Sequence, residues 1–390
     1  MAKKSSTKSQ KKQTAKKVKG VPTPHDHFFR HTFLQRDHAQ EFLASYLPKD
    51  LLVHLKLDEL ALESASYIDE RLSEHLSDVL YEIPLAQASS ETVPVSVYML
   101  FEHKSGPEQQ VLLQLLRYMY ERWMADNIDG KQIRPIIPIV FYHGQKNWTV
   151  PTQFIDQFKG VDKIFHAFIP DFQYILFDTS EYEGEQIRQA ISSGSLQAAL
   201  LLLKYIYDQT LEAKLEEVLD PLAKSELTSK RMLDQLYAML SYIANTSNPV
   251  NEHRLSDVVR SQFVEEEDAV NTILVDVWLE RGILKGMRRT IRQILEHKFG
   301  QKEDSQKTID EIGSVQSEEN KSISDLMREV ARRLEYVSTE SELSALTNIV
   351  LTAPELATFL RYLPLEMSSN QSDSEAEIVE IRDGELEFAV

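Results

Sequence analysis

The chain has 390 residues, 42% of them hydrophobic, and a formal net charge of −18. That length supports two or three domains with a sizeable core. The absence of cysteine excludes a disulfide framework and any Cys-ligated zinc or iron–sulfur site, and it suits a reducing compartment.

The charge is uneven. Residues 1–20 hold eight lysines and no acid, so the remainder carries about −26 once those eight are taken from the total of −18. An acidic body argues against broad, nonspecific binding to duplex nucleic acid. The basic arm, expected to be disordered over residues 1–21, could contact a polyanion through phosphates only, because no aromatic residue interrupts its lysines. The longest apolar run, Ala198 to Leu203, meets Lys204 after six residues, too short to span a bilayer. No membrane partner is expected, and the chain reads as cytoplasmic.

Pro22 and Pro24 open a helical region with an apolar stripe of Phe29, Phe33, Phe42, Leu43, Tyr46 and Leu47. It is expected as two helices broken near Arg36-Asp37 and ended by Pro48. His27 and His31 have i, i+4 spacing, which can hold zinc, but no third ligand is evident. Three extended segments follow, near 62–69, 76–85 and 95–102, joined by short connections that suit an antiparallel meander. Residues 109–127 read as a helix with an apolar face of Leu112, Leu116, Met119, Tyr120 and Trp123. The run 136–142 is a strand buried on both faces, and 174–177 adds another. Beyond residue 185 the stretches 196–207, 230–244, 268–280, 286–299, 322–335 and 341–362 read as helices, the last broken at Pro354. The polar, acidic end from Ser368 reads as a disordered tail.

The chemistry concentrates at Asp78 and, 24 positions later, at Glu102-His103-Lys104. Two carboxylates hold a hard divalent cation, and a neighbouring ammonium activates water and offsets charge at a phosphate. Side chains at i and i+2 of a strand share a face, so Glu102 and Lys104 project together and His103 points away. The chain supplies a control: Glu296-His297-Lys298 repeats the tripeptide in a stretch read as a helix ending at Gly300, where the pair would lie about 200° apart. Strand context, not the tripeptide, carries the signal.

Six segments occur in order: Pro24-His25-Asp26-His27-Phe28-Phe29, Phe42 to Pro48, Leu76-Ser77-Asp78-Val79-Leu80-Tyr81, Phe101-Glu102-His103-Lys104-Ser105, Leu115-Leu116-Arg117-Tyr118 and Ile137 to Gly144. Together they resemble the recombination-promoting nucleases, also known as YhgA-like putative transposases, of the PD-(D/E)XK superfamily. The resemblance covers roughly residues 22–180. It implies an α/β fold: a restriction-endonuclease-like core, a mixed sheet flanked by helices, at 22–185, then an all-helical region at 186–366 and a tail at 367–390. It implies Asp78 and Glu102 as metal-binding carboxylates, the backbone carbonyl of His103 as a further ligand, and Lys104 as the residue that positions the attacking water. Gln114 is a candidate for the superfamily's occasional polar helix residue, and His25 and Asp26 would cap and orient the first helix at the edge of the site. Many relatives carry Gln where this chain has Lys104, and Ser77 stands where the motif has Pro.

The expected cofactor is Mg²⁺, with Mn²⁺ equally suited to an all-oxygen site. The expected partner is DNA, and cutting both strands would favour a homodimer. The expected function is a divalent-metal-dependent DNA endonuclease linked to recombination or mobile elements. Two alternatives remain at this point: an inactive nuclease-fold interaction protein, and a transposase, for which no third acid falls in register.

Overall fold

The computed structural model describes residues 23–63, 79–86, 96–104, 106–107, 109–246, 250–299, 323–335, 337, 339–360 and 362–363, with the backbone alone at 96–102, 323–324 and 357. The basic arm, the acidic tail, most of the strand expected near 62–69, and Asp78 lie outside the described residues.

Among these residues, five strands form one mixed sheet in sequence order: β1 (Ala61–Leu62), β2 (Val79–Pro84), β3 (Ser96–Lys104), β4 (Ile136–Tyr142) and β5 (Ile175–Asp178). The first three pair antiparallel, while β3–β4 and β4–β5 are parallel. A parallel pair needs a long crossover, and helix α4 (Val111–Ile128) supplies it. Pro138 is tolerated inside β4 because β5 pairs only from Ile139 onward, so at Pro138 the strand has a single neighbour.

Helices cover both faces of the sheet. On one face lie α1 (Pro24–Phe33) and α2 (Arg36–Tyr46). The rings of Phe29, Phe33 and Phe42 sit 5.4–5.9 Å from that of Phe141. On the other face Val111, Leu112 and Leu115 of α4 pack with Val140, Phe154 and Tyr174. The alternation of β4 between these layers explains why its run is apolar throughout.

One expectation about α4 needs correction. Tyr120, placed on the apolar face by sequence, is 57% exposed. Leu112 and Met119 of the expected face are buried, and the stripe they share takes in Val111, Leu115, Tyr118, Arg122 and Asp126 in place of Tyr120. Two of these are charged, and they are buried because they pair: the Arg122 guanidinium bonds the Asp126 carboxylate and lies 3.3 Å from Glu63. A hydrophobic template cannot phase a helix whose inner face includes an ion pair.

A short helix α3 (Lys49–Leu52) precedes the sheet. After β5 come α5 (Gly184–Ala190), α6 (Gly194–Tyr205), α7 (Leu211–Ala223), α8 (Ser229–Asn245), α9 (Glu252–Gln262), α10 (Glu267–Phe299), α11 (Ile323–Leu334), α12 (Glu340–Thr352) and α13 (Leu356–Leu360). Of these, α5, α7 and α9 are additions to the sequence reading. The helices expected at 268–280 and 286–299 are one helix, α10. Gly282 and Gly286 have open space around them and no cap, so each costs the helix about 1 kcal/mol without ending it. One apolar cluster runs from α1 through the sheet and α6–α9 to Val277 of α10, and a second joins Leu284 to Phe299 with α11–α13.

Where α6 begins, Gly194 passes against the carbonyl of Pro221 in α7, so closely that an added Cβ would collide with it. Gly194→Ala should therefore destabilise the protein by roughly 1–3 kcal/mol, read from urea unfolding. An unchanged midpoint would show that α6 and α7 separate freely.

Candidate functional site

Lys104 is the last residue of β3 and pairs with Tyr142 of β4. It is only 5% exposed. Its Nζ donates to Oε1 of Gln114, in the first turns of α4, at 2.8 Å. The end of β3 and the start of the crossover helix thus bring together two residues ten positions apart. Position 102, two residues earlier in β3, pairs with Val140. Glu102 belongs to the stretch described by its backbone alone, and Asp78 lies outside the described residues. Arg117 bonds Glu121 on the α4 surface at 2.7 Å.

His103 takes the opposite face, as period-2 alternation requires. There it joins a buried array that sequence reading did not anticipate. Its Nδ1 is 2.9 Å from Asp26 Oδ1, and its Nε2 is 2.6 Å from His143 Nε2. His143 Nδ1 lies 3.2 Å from the carbonyl of Leu203 in α6. That carbonyl can only accept, so a neutral His143 carries its proton on Nδ1 and accepts at Nε2. The two nitrogens of His103 thus face the Asp26 carboxylate on one side and His143 Nε2 on the other. Beside them His25 bonds the hydroxyls of Tyr242 and Tyr207, at 2.7 Å and 3.0 Å.

Burial and partners set the protonation of this array. Burial lowers His25 to about 3, helped by His103 and opposed by Asp26. Burial, with His103 and His25 nearby, puts His143 well below its ordinary value. Burial alone would raise Asp26. The hydrogen bond and charge of His103, with bonds from Thr23, outweigh it and hold the carboxyl well below the usual range. Asp26 also closes a capping box with Thr23 at the start of α1, whereas His25 takes no part in that cap. His31 bonds Gln235 of α8 at 3.1 Å. The described residues contain no cluster of three or more His, Asp or Glu placed to hold a metal ion.

The family model described as putative transposase, YhgA-like, matches residues 23–233, more than half of the chain. The chain belongs to this family. It is similar to recombination-promoting nuclease RpnD of Escherichia coli O157:H7, 27% identical over 260 residues, which are 64% of this chain and 92% of the relative. It is also similar to recombination-promoting nuclease RpnA of E. coli K12, 26% identical over 257 residues (64% and 82%). A further relative, of the same strain, is named inactive recombination-promoting nuclease-like protein RpnE, 25% identical over 227 residues (58% and 72%). The family thus includes members named as nucleases and members named as inactive. No solved structure matches the chain. No helix among the described residues is long and apolar enough to cross a membrane.

The buried histidines make stability pH-dependent. Burial lowers His38, like His25, here to about 4, while an unfolded histidine titrates near 6.5. Their contribution is therefore complete above pH 6.5 and is lost as pH falls toward 4 and then 3. Asp26, also depressed, adds a further loss below about pH 4. At about 1.4 kcal/mol per unit for each group, the unfolding free energy should drop by roughly 3 kcal/mol or more between pH 7 and pH 4.5. His38→Asn, which keeps a donor toward the Thr32 carbonyl, should flatten that slope in urea titrations across pH.

Proposed function

We propose that this protein is a divalent-metal-dependent endonuclease that hydrolyses phosphodiester bonds in DNA, with a PD-(D/E)XK core. The observation that carries the reading is the placement of Lys104. It ends a central strand, buried, with its ammonium held by Gln114, on the face of β3 opposite the histidine array. The ladder supports the rest: at its described end Val79 of β2 faces Phe101, the residue before Glu102. The nuclease names of the relatives point the same way.

Asp78, Glu102 and the carbonyl of His103 would hold the metal. An all-oxygen set suits Mg²⁺ or Mn²⁺. When bound, the ion supplies Lewis-acid polarisation of the phosphoryl oxygen and a more acidic water. Lys104 is a point charge with three donors. One bond goes to Gln114, which fixes the direction of the ammonium, so its charge is preorganised toward the phosphate rather than reoriented during reaction. Gln114 acts through Lys104 and is a positioning residue.

A second reading has a specific observation behind it. Relatives named as inactive make a scaffold with this fold and no cleavage a real competitor. One experiment separates the two. Purified protein with supercoiled plasmid and Mg²⁺ or Mn²⁺ should nick or linearise it, and a chelator should stop the reaction. Asp78→Ala and Lys104→Ala should each lower the rate about 10²-fold or more, with melting temperatures confirming the fold. Gln114→Leu should cost less, roughly tenfold. An inert wild type, or variants that cut equally well, would sink the nuclease reading in favour of the scaffold.

A further inference from the structure

We infer that the loop tip from Phe158 to Phe168, between β4 and β5, is a stacking surface for unpaired bases of a nucleic-acid strand. The inference rests on the nuclease reading for the class of its partner.

The loop is closed at its neck. Gln153 and Gln173 form a bridge, Phe154 N–H donates to the Phe172 carbonyl at 2.9 Å, and Tyr174 N–H donates to that of Thr152 at 3.1 Å. The rings of Phe154 and Phe172 stack at 5.2 Å. Phe154 and Tyr174 are buried against α4, in the layer on the same sheet face as the Lys104–Gln114 pair. A closed neck of this kind defines a compact loop whose tip is preorganised.

That tip is unusually apolar for a surface. Ile164 is 71% exposed, Phe165 57% and Phe168 83%. Exposed apolar groups gathered this densely mark an interaction site. Charge at the tip favours a polyanion as the partner. Asp162 accepts the N–H of Ile164 at 3.0 Å, and Asp171 accepts that of Ile155 at 3.1 Å. Both keep their charge, but of the loop's three acids only Asp162 lies within the tip 158–168, while Asp156 and Asp171 sit toward the neck. Lys159 and Lys163 are exposed between the aromatic residues. With two lysines against one acid, the tip 158–168 carries a formal charge of +1 on a chain of net charge −18, beside its exposed rings. Aromatic faces take stacked bases whatever the sequence, and the ammonium groups meet the phosphates between them. A paired duplex hides its base faces, so the surface favours single-stranded or unpaired segments.

The test is metal-free, which separates it from cleavage. Fluorescence anisotropy with a labelled single strand of about 16 nucleotides, in chelator, should show binding by the wild type. The double variant Phe165→Ala, Phe168→Ala should weaken it at least about tenfold, with an unchanged melting temperature because both rings are exposed. Photo-cross-links from iodouracil in the strand should map to the peptide 158–168. Equal binding by wild type and variant, or no binding at all, overturns the inference even if plasmid cleavage succeeds. So does a variant that binds the strand normally but loses self-association in sedimentation, or loses flotation with phosphatidylserine vesicles. Those outcomes assign the tip to a second copy or to a lipid surface. Failure of plasmid cleavage with strand binding intact would instead strike the nuclease reading alone.

Discussion

The pleat of β3 governs the structure. Adjacent residues of a strand face opposite ways, so His103 and Lys104 enter two different environments although they share a peptide bond. Lys104 meets Gln114 on the α4 side. His103 enters a sealed array on the α1 side. The strand is bonded to β2 on one edge and β4 on the other, which pins its register. A slip by one residue would bury the ammonium among the imidazoles and leave Asp26 without its partner, so both faces select the same pairing.

The sealed face also explains why the helices after the sheet belong to the same physical unit as the candidate site. The histidine array draws on α1, β3, the end of β4, a carbonyl of α6 and tyrosines from beyond α6 and from α8. The apolar cluster around it continues through the sheet into α6–α10 without interruption. The position of the His103 backbone thus depends on residues as distant in sequence as Tyr242. Relatives match this chain beyond the sheet, to residue 233 in the family model, consistent with helices that shape the strand rather than decorate it.

Much of the architecture was legible because it is local. The strand at Ser96–Lys104, the turn after it, the crossover helix and the apolar run of β4 each carry their own pattern, and their order dictates a meander followed by a parallel step. The orientation of His103 away from Lys104 followed from alternation alone. What escaped reading is non-local. His103 meets Asp26 across 77 positions and His143 across 40, and His25 meets Tyr242 across 217. No spacing rule connects such residues. The misplacement of Tyr120 has a different cause. The Arg122–Asp126 pair makes the inner face of α4 partly charged, so hydrophobicity finds Leu112 and Met119 but misplaces the edge of the stripe at Tyr120. At α10 the reading into helices at 268–280 and 286–299 leaves a gap, yet apolar partners on either side of it hold one continuous helix.

That continuity gives α10 a mechanical meaning. At 1.5 Å per residue its 33 residues make a rod about 50 Å long, with each half sunk in a different apolar cluster. In the middle, a Cβ added at Gly282 or Gly286 would meet open space, although Leu284 between them is buried. Torque applied to the α11–α13 end would reach the sheet-bearing body along this rod, and the two glycines make this span its least helix-favouring stretch. The helix is therefore an axle between two masses, with its weakest helix-forming stretch where they meet.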